Sequence, residues 1–150
     1  MSAYRTVVVG TDGSESSFRA VDKAAELARD AEAKLVIACA YYPADPKESQ
    51  QAADILGDEA YQVTGSTPTY EILRSARERA TDRGATSISE RAVVGSPVEA
   101  LLSLIEETDA DLLVIGNRGL NTLTGRLLGS VPSDAARKST CDVLIVHTVR

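Results

Sequence analysis

LLVIGNRGLNTLTGRLLGSVPSDAARKS, residues 112–139, is the stretch on which the fold turns. It opens on Leu112-Leu113-Val114-Ile115, four apolar residues that suit a short strand buried on both faces. Glycines then interrupt the chain at 116, 119, 125 and 129, and residues 133–138 read as helix. Buried strand, glycine-rich connection and helix together make the repeating unit of a parallel sheet.

The same unit recurs on either side. Thr6-Val7-Val8-Val9 ends at Gly10, and in residues 16–31 Phe18, Val21, Ala25 and Ala28 fall at helical spacing opposite Arg19, Lys23, Glu26 and Asp30. Residues 35–40 give a second strand. Residues 70–83 give a helix with Ile72, Leu73, Ala76 and Ala80 apolar and Gly84 as its stop. Residues 88–94 form a weaker third strand, and Val98, Leu101, Leu102 and Ile105 share one face of a helix over 97–107. Val143-Leu144-Ile145-Val146 is the fifth strand. The alternation predicts an α/β fold, with helices on both faces of a parallel sheet. Residues 42–68 are the exception: a long connection with a helical pattern through Ala52, Ala53, Ile55, Leu56 and Tyr61. It is either a lid or a shield for a sheet edge.

The chain of 150 residues suits one domain, residues 1–150, able to bury roughly 70% of its unfolded surface. A net charge of −6 argues against nucleic-acid or anionic-membrane binding. That charge is uneven, because residues 116–140 carry Arg118, Arg126, Arg137 and Lys138 against Asp134 alone. A basic, glycine-rich island in an acidic chain suggests a small anionic ligand. Cys39 and Cys141 are too few for a disulfide framework and read as buried, inert thiols in strand-like surroundings. No leader pattern and no run near the roughly 20 apolar residues of a bilayer span is visible, so a cytoplasmic setting is expected.

Ligands of open parallel sheets bind beyond the carboxyl ends of the strands, where strand order reverses. Two connections leave such ends with unusual residues: Gly10-Thr11-Asp12-Gly13-Ser14-Glu15, and the loop from Gly116. Gly116, Gly119, Gly129 and Ser130 read as G-x2-G-x9-G-S, opening a helix near Val131-Pro132. Glycines reach positive φ and let several N–H groups converge on one anion, and a helix N-terminus adds unsatisfied amides. Taken singly, the same residues read as turn glycines and an N-cap serine. The loop lacks the lysine of a Walker A motif, and no G-x-G-x-x-G follows the first strand.

At this point the chain resembles the universal stress protein family over nearly all its length. The resemblance rests on V-V-V-G-T-D-G-S-E-S-S, on V-V-G-S-P-V-E-A-L, and above all on the glycine loop running to D-V-L-I-V-H. G-N-R-G-L and G-R-L-L-G-S-V-P look like the mycobacterial single-domain subgroup associated with cyclic AMP and ATP. The resemblance implies a three-layer α/β/α, Rossmann-like fold of the adenine nucleotide alpha hydrolase-like type, with a five-stranded parallel sheet of order 3-2-1-4-5. It places an adenine nucleotide across strands 1 and 4. Asp12, flanked by Gly10 and Thr11, would lie at the ribose, and Ala38, Cys39 and Ala40 would face adenine. Gly116, Asn117, Arg118, Gly119, Gly129, Ser130 and Val131 would surround phosphate. It also implies a homodimer through Val143, Leu144, Ile145 and Val146, an apolar edge otherwise left exposed.

Asp12 admits a second reading, since Asp12-Gly13-Ser14-Glu15 has capping-box spacing and Asp12 would then cap the first helix. Arg118 and Arg126 either neutralise phosphate or stay solvated, and Arg137 and Lys138 suit a helix C-terminus. Gly95 and Pro97 mark a turn into a helix. Tyr41 and Tyr42 either stack on a base or pack at an edge. His147 has no partners at metal-ligand spacing, and no catalytic constellation can be assembled around it. A binding protein is therefore expected rather than an enzyme: a nucleotide-dependent sensor or sequestering protein in stress response. A slow metal-dependent ATP hydrolase and a dimeric scaffold with a vestigial loop are the alternatives. A cyclic monophosphate needs only amides and a hydroxyl, whereas a triphosphate asks for a lysine or metal, so magnesium enters only with ATP.

Overall fold

The computed structural model describes residues 3–41, 67–117 and 130–148. Among them, β1 (Thr6–Gly10), β2 (Lys34–Tyr41), β3 (Ile88–Val94), β4 (Leu112–Gly116) and β5 (Asp142–Val146) form one sheet. Its order is β3-β2-β1-β4-β5, and every neighbouring pair is parallel. Four helices connect or flank them: α1 (Glu15–Ala31), α2 (Thr67–Asp82), α3 (Pro97–Thr108) and α4 (Ser130–Lys138).

Period-two alternation along the strands divides the apolar residues between two cores. Val7, Val9, Leu35, Ile37, Leu112 and Val114 pack under α1 and α2, with Ala20, Ala24, Ala25, Leu73, Ala76 and Ala80. Val8, Val36, Ala38, Leu113 and Ile115 face the other way, under α3 and α4, with Leu101, Leu104, Ile105 and Ala135. The three inner strands carry apolar residues on both faces because both are covered. Each fully buried Val, Leu or Ile contributes about 1.5–3 kcal/mol, so this sheet holds most of the favourable burial. The alanines of α1 let that helix lie close against β1 and β4.

The edges differ from the centre. In β3 Ser89 and Glu90 are exposed, which accounts for the weakness of its sequence signal. In β5 Ile145 remains 43% exposed. The insert boundary also shifts: α2 already includes Thr67 and Pro68, two residues expected to belong to the connection. Proline is tolerated there because the first turn of a helix has no use for its missing N–H. The remainder of that connection, residues 42–66 with Tyr42, lies outside the described residues.

Asp22 on α1 accepts from Arg79 Nη2 of α2 at 2.6 Å and from Nη2 of Arg83, just past the end of α2, at 3.4 Å. Glu15 and Glu26 extend this ladder to the same two arginines. Arg79 also stacks 5.2 Å above the Phe18 ring. The Arg137–Asp134 pair sits in the last turns of α4, as the helix-end reading expects. None of the helices described is long and apolar enough to cross a membrane.

Candidate functional site

β1 and β4 are neighbours in the sheet, yet the helices that follow them pack on opposite faces, α1 on one and α4 on the other. This is the switch point at which an open α/β sheet forms a crevice. β2 extends its far wall. The last β1–β2 partners are Gly10 and Ala38, whereas β2 runs on through Tyr41 beside β3. Ala38 accepts from the Thr11 amide at 2.9 Å. Ala40, two residues on, turns its peptide groups the same way, past the end of β1.

The turn after β1 is knotted by its own side chains. Ser17 Oγ donates to the Ser14 carbonyl at 2.9 Å and lies 2.7 Å from Thr11 Oγ1. The Gly13 amide donates to Thr11 Oγ1 and the Asp12 amide to Ser17 Oγ. Gly13 has φ +86° and would bring a Cβ within 2.9 Å of Ile72. Thr11 and Ser17 are buried, and both hydroxyls are satisfied.

Asp12 does not cap α1. The cap is Ser14, whose Oγ accepts from the Ser17 amide at 3.1 Å. Asp12 instead closes an Asx turn, accepting from the Ser14 amide at 3.0 Å. The capping residue is set by where φ/ψ turns helical, and here that happens two residues later than the capping-box spacing suggested. The amides of residues 11–14 are thus all engaged locally.

Cys39 is buried beneath this turn, and its thiol is pushed up to about 11, chiefly by burial and secondly by the Asp12 charge. Thr69, buried at the start of α2, opposes that shift by hydrogen bonding to the thiol. Asp12 thus acts on Cys39 through its charge and Thr69 through a hydrogen bond. Thr69 gave no sequence signal beyond its position in Thr-Pro-Thr.

At the exit of β4 the backbone of the glycine differs from the one expected. Gly116 does not adopt positive φ, the glycines that do among the described residues being Gly13, Gly84 and Gly95. A Cβ on Gly116 would instead meet Thr148 Cγ2 and Oγ1 at 3.3 Å. Asn117 continues the strand, its amide donating to Val146 at 2.8 Å. Its side-chain oxygen accepts from the Thr148 amide at 2.8 Å and hydroxyl at 3.0 Å. Asn117 thus ties down the chain after β5.

Arg118, Gly119 and Gly129, with Arg126, lie outside the described residues. Ser130 and Val131 form the first turn of α4, followed by buried Pro132. Their backbone opens α4, whose first amides have no intrahelical partners and carry a partial positive charge. That fits an anionic group better than a metal, and the described residues hold no cluster of metal-ligating side chains. Cys141 departs from expectation: it precedes β5, half-buried, with its Sγ 3.4 Å from Ser139 Oγ. Gly95 does make the expected turn, at φ +131°, its amide donating to Tyr41. The cleft of about 520 Å³ beside Arg29, Glu32 and Lys34 lies at the amino ends of the strands, opposite this site.

A doubly wound parallel sheet whose strand order reverses between β1 and β4, with helices on both faces, defines a class of α/β domain. Within that class, the sequence model of the Universal stress protein family matches residues 3–147, and the chain belongs to this family. Universal stress protein Rv1636 of Mycobacterium tuberculosis (strain ATCC 25618 / H37Rv) is 61% identical over 148 residues, 99% of each chain. A universal stress protein crystallised in complex with cAMP has a TM-score of 0.77 at 54% identity, over 99% of this chain and 100% of that one. Universal stress protein UspA from Lactobacillus plantarum shares the fold, with a TM-score of 0.77 at 18% identity, over 98% and 100% of the two chains.

Proposed function

We propose that residues 1–150 form a single domain that binds an adenine nucleotide, cyclic AMP ahead of ATP, at the carboxyl ends of β1 and β4. The observation that carries the reading is the 54%-identical structure in complex with cAMP, alike over the whole chain. Asp12, beside Gly10 and Thr11, accepts from a ribose hydroxyl. The β2 backbone at Ala38, Cys39 and Ala40 flanks adenine. Gly116, Asn117, Arg118, Gly119, Gly129, Ser130 and Val131 surround phosphate, with main-chain amides as the principal donors.

Charge supports cyclic AMP. A triphosphate brings about four negative charges toward Asp12 and needs a metal to accompany it, whereas a cyclic phosphate brings one. The protein then acts in the cytoplasm as a sensor or sequestering protein, as a homodimer through Val143, Leu144, Ile145 and Val146. Competition calorimetry with ATP, ADP, AMP and cyclic AMP, with and without magnesium, tests this. Saturable cyclic AMP binding independent of magnesium is expected. Binding by none of the four contradicts it, and metal-dependent phosphate release from ATP would favour the hydrolase instead.

A further inference from the structure

Thr148 is 3% exposed and touches three separate parts of the chain. Its hydroxyl donates to Asn117 Oδ1 at 3.0 Å and shares a short hydrogen bond with Ser16 Oγ in the first turn of α1. Its carbonyl accepts from Arg19 Nη1 at 2.7 Å, one turn further along α1. Its side chain packs closely against Gly116, where an added Cβ would lie 3.3 Å from it. With the Thr148 hydroxyl committed to Asn117, Ser16 must donate to Thr148, giving a directed chain Ser16 to Thr148 to Asn117.

The two ends of that chain are the two sides of the crevice. Ser16 follows the knotted Asp12 turn by a few residues, and Asn117 is the stem from which the glycine loop departs. We propose that Thr148 is a positioning residue for the site, a bolt whose hydroxyl sets the Asp12 turn and the β4 exit at a fixed separation. This rests on the nucleotide-binding reading above and deepens it. A donor displaced by a fraction of an ångström from a buried anion loses much of its worth, because charge-assisted hydrogen bonds are short and directional. The bolt holds that geometry before ligand arrives, so binding need not order it.

The test uses the full chain with Thr148→Val, which keeps the shape but loses the hydroxyl, and Thr148→Ser, which keeps the hydroxyl. Cyclic AMP affinity, thermal midpoint and amide exchange at Gly116 and Asn117 are measured for each. Thr148→Val should bind about tenfold more weakly and exchange faster at Asn117, and Thr148→Ser should recover both. Ser16→Ala, which leaves the Asn117 end intact, should show a smaller loss in the same direction. Wild-type affinity in Thr148→Val overturns the bolt while leaving nucleotide binding in place. So does an affinity loss that Thr148→Ser fails to restore and that follows the thermal midpoint across the variants. Absence of binding in the wild-type chain overturns the nucleotide reading, and the bolt with it.

Discussion

Arg79 Nη2 lies 2.6 Å from Asp22 Oδ2, and the pair joins α1 to α2 over the same face of the sheet that ends in the Asp12 turn. The Asp22 side chain is 12% exposed, so removing the arginine leaves a carboxylate largely withdrawn from water. Arg83 stays within 3.4 Å and keeps part of the compensation.

Arg79→Ala should therefore cost about 2 kcal/mol in chemical unfolding, discounted from a fully buried pair because Arg79 is a third exposed and Arg83 remains. Glu26→Ala, at the more exposed end of the ladder, should cost under about 1 kcal/mol. Equal effects from the two would mean that burial does not set the strength of this ladder.

Gly13 and Gly95 both have positive φ, but a Cβ at Gly95 meets open space while one at Gly13 meets Ile72 at 2.9 Å. Gly95→Ala should lose only backbone strain, about 1 kcal/mol, and Gly13→Ala about 2–3 kcal/mol through strain and overpacking together. Thermal unfolding of the two variants decides the order.

The Cys39 thiol is raised to about 11 from an ordinary value of 9.0, so the folded chain resists ionising it while the unfolded chain does not. Its contribution to stability is complete below about pH 9 and fades as pH rises toward 11. Cys39→Ala should flatten that part of the stability curve relative to wild type. In the native state at neutral pH, a thiol reagent should label Cys141 well before Cys39, as peptide mapping would show.

Gly116→Ala presses on a Thr148 side chain held by hydrogen bonds to Asn117 and Ser16, so it cannot move aside freely. A stability loss of about 1 kcal/mol and weaker binding of both cyclic AMP and ATP are expected. Adding Thr148→Ser removes one of the two crowded atoms and should restore part of each. Purely additive losses in the double variant would show that the two sites are uncoupled.

The parts of the chain were unequally legible in the sequence. β1, β2 and β4 announce themselves as unbroken apolar runs because they are covered on both faces. β3 is written more faintly, since an edge strand tolerates Ser89 and Glu90 on its open side. The start of α2 was hidden by Thr-Pro-Thr, residues of low helix propensity that are nonetheless acceptable in a first turn. At the site, the glycine at 116 was visible but its packing was not. A Cβ there would crowd Thr148, more than thirty residues away along the chain and adjacent only once β4 and β5 pair. The Ser14 cap was likewise displaced from Asp12 by a local choice of backbone angles that spacing does not encode.

The central claim is that an adenine nucleotide sits across the ends of β1 and β4, held by main-chain hydrogens more than by side-chain charge. A crystal structure of the full chain with cyclic AMP measures this most directly. The ligand is expected between the Asp12 turn and Gly116, its phosphate against the first turn of α4 and its ribose within hydrogen-bond reach of Asp12. A nucleotide bound at any other part of the surface, with the α4 amides facing away from it, would contradict the account.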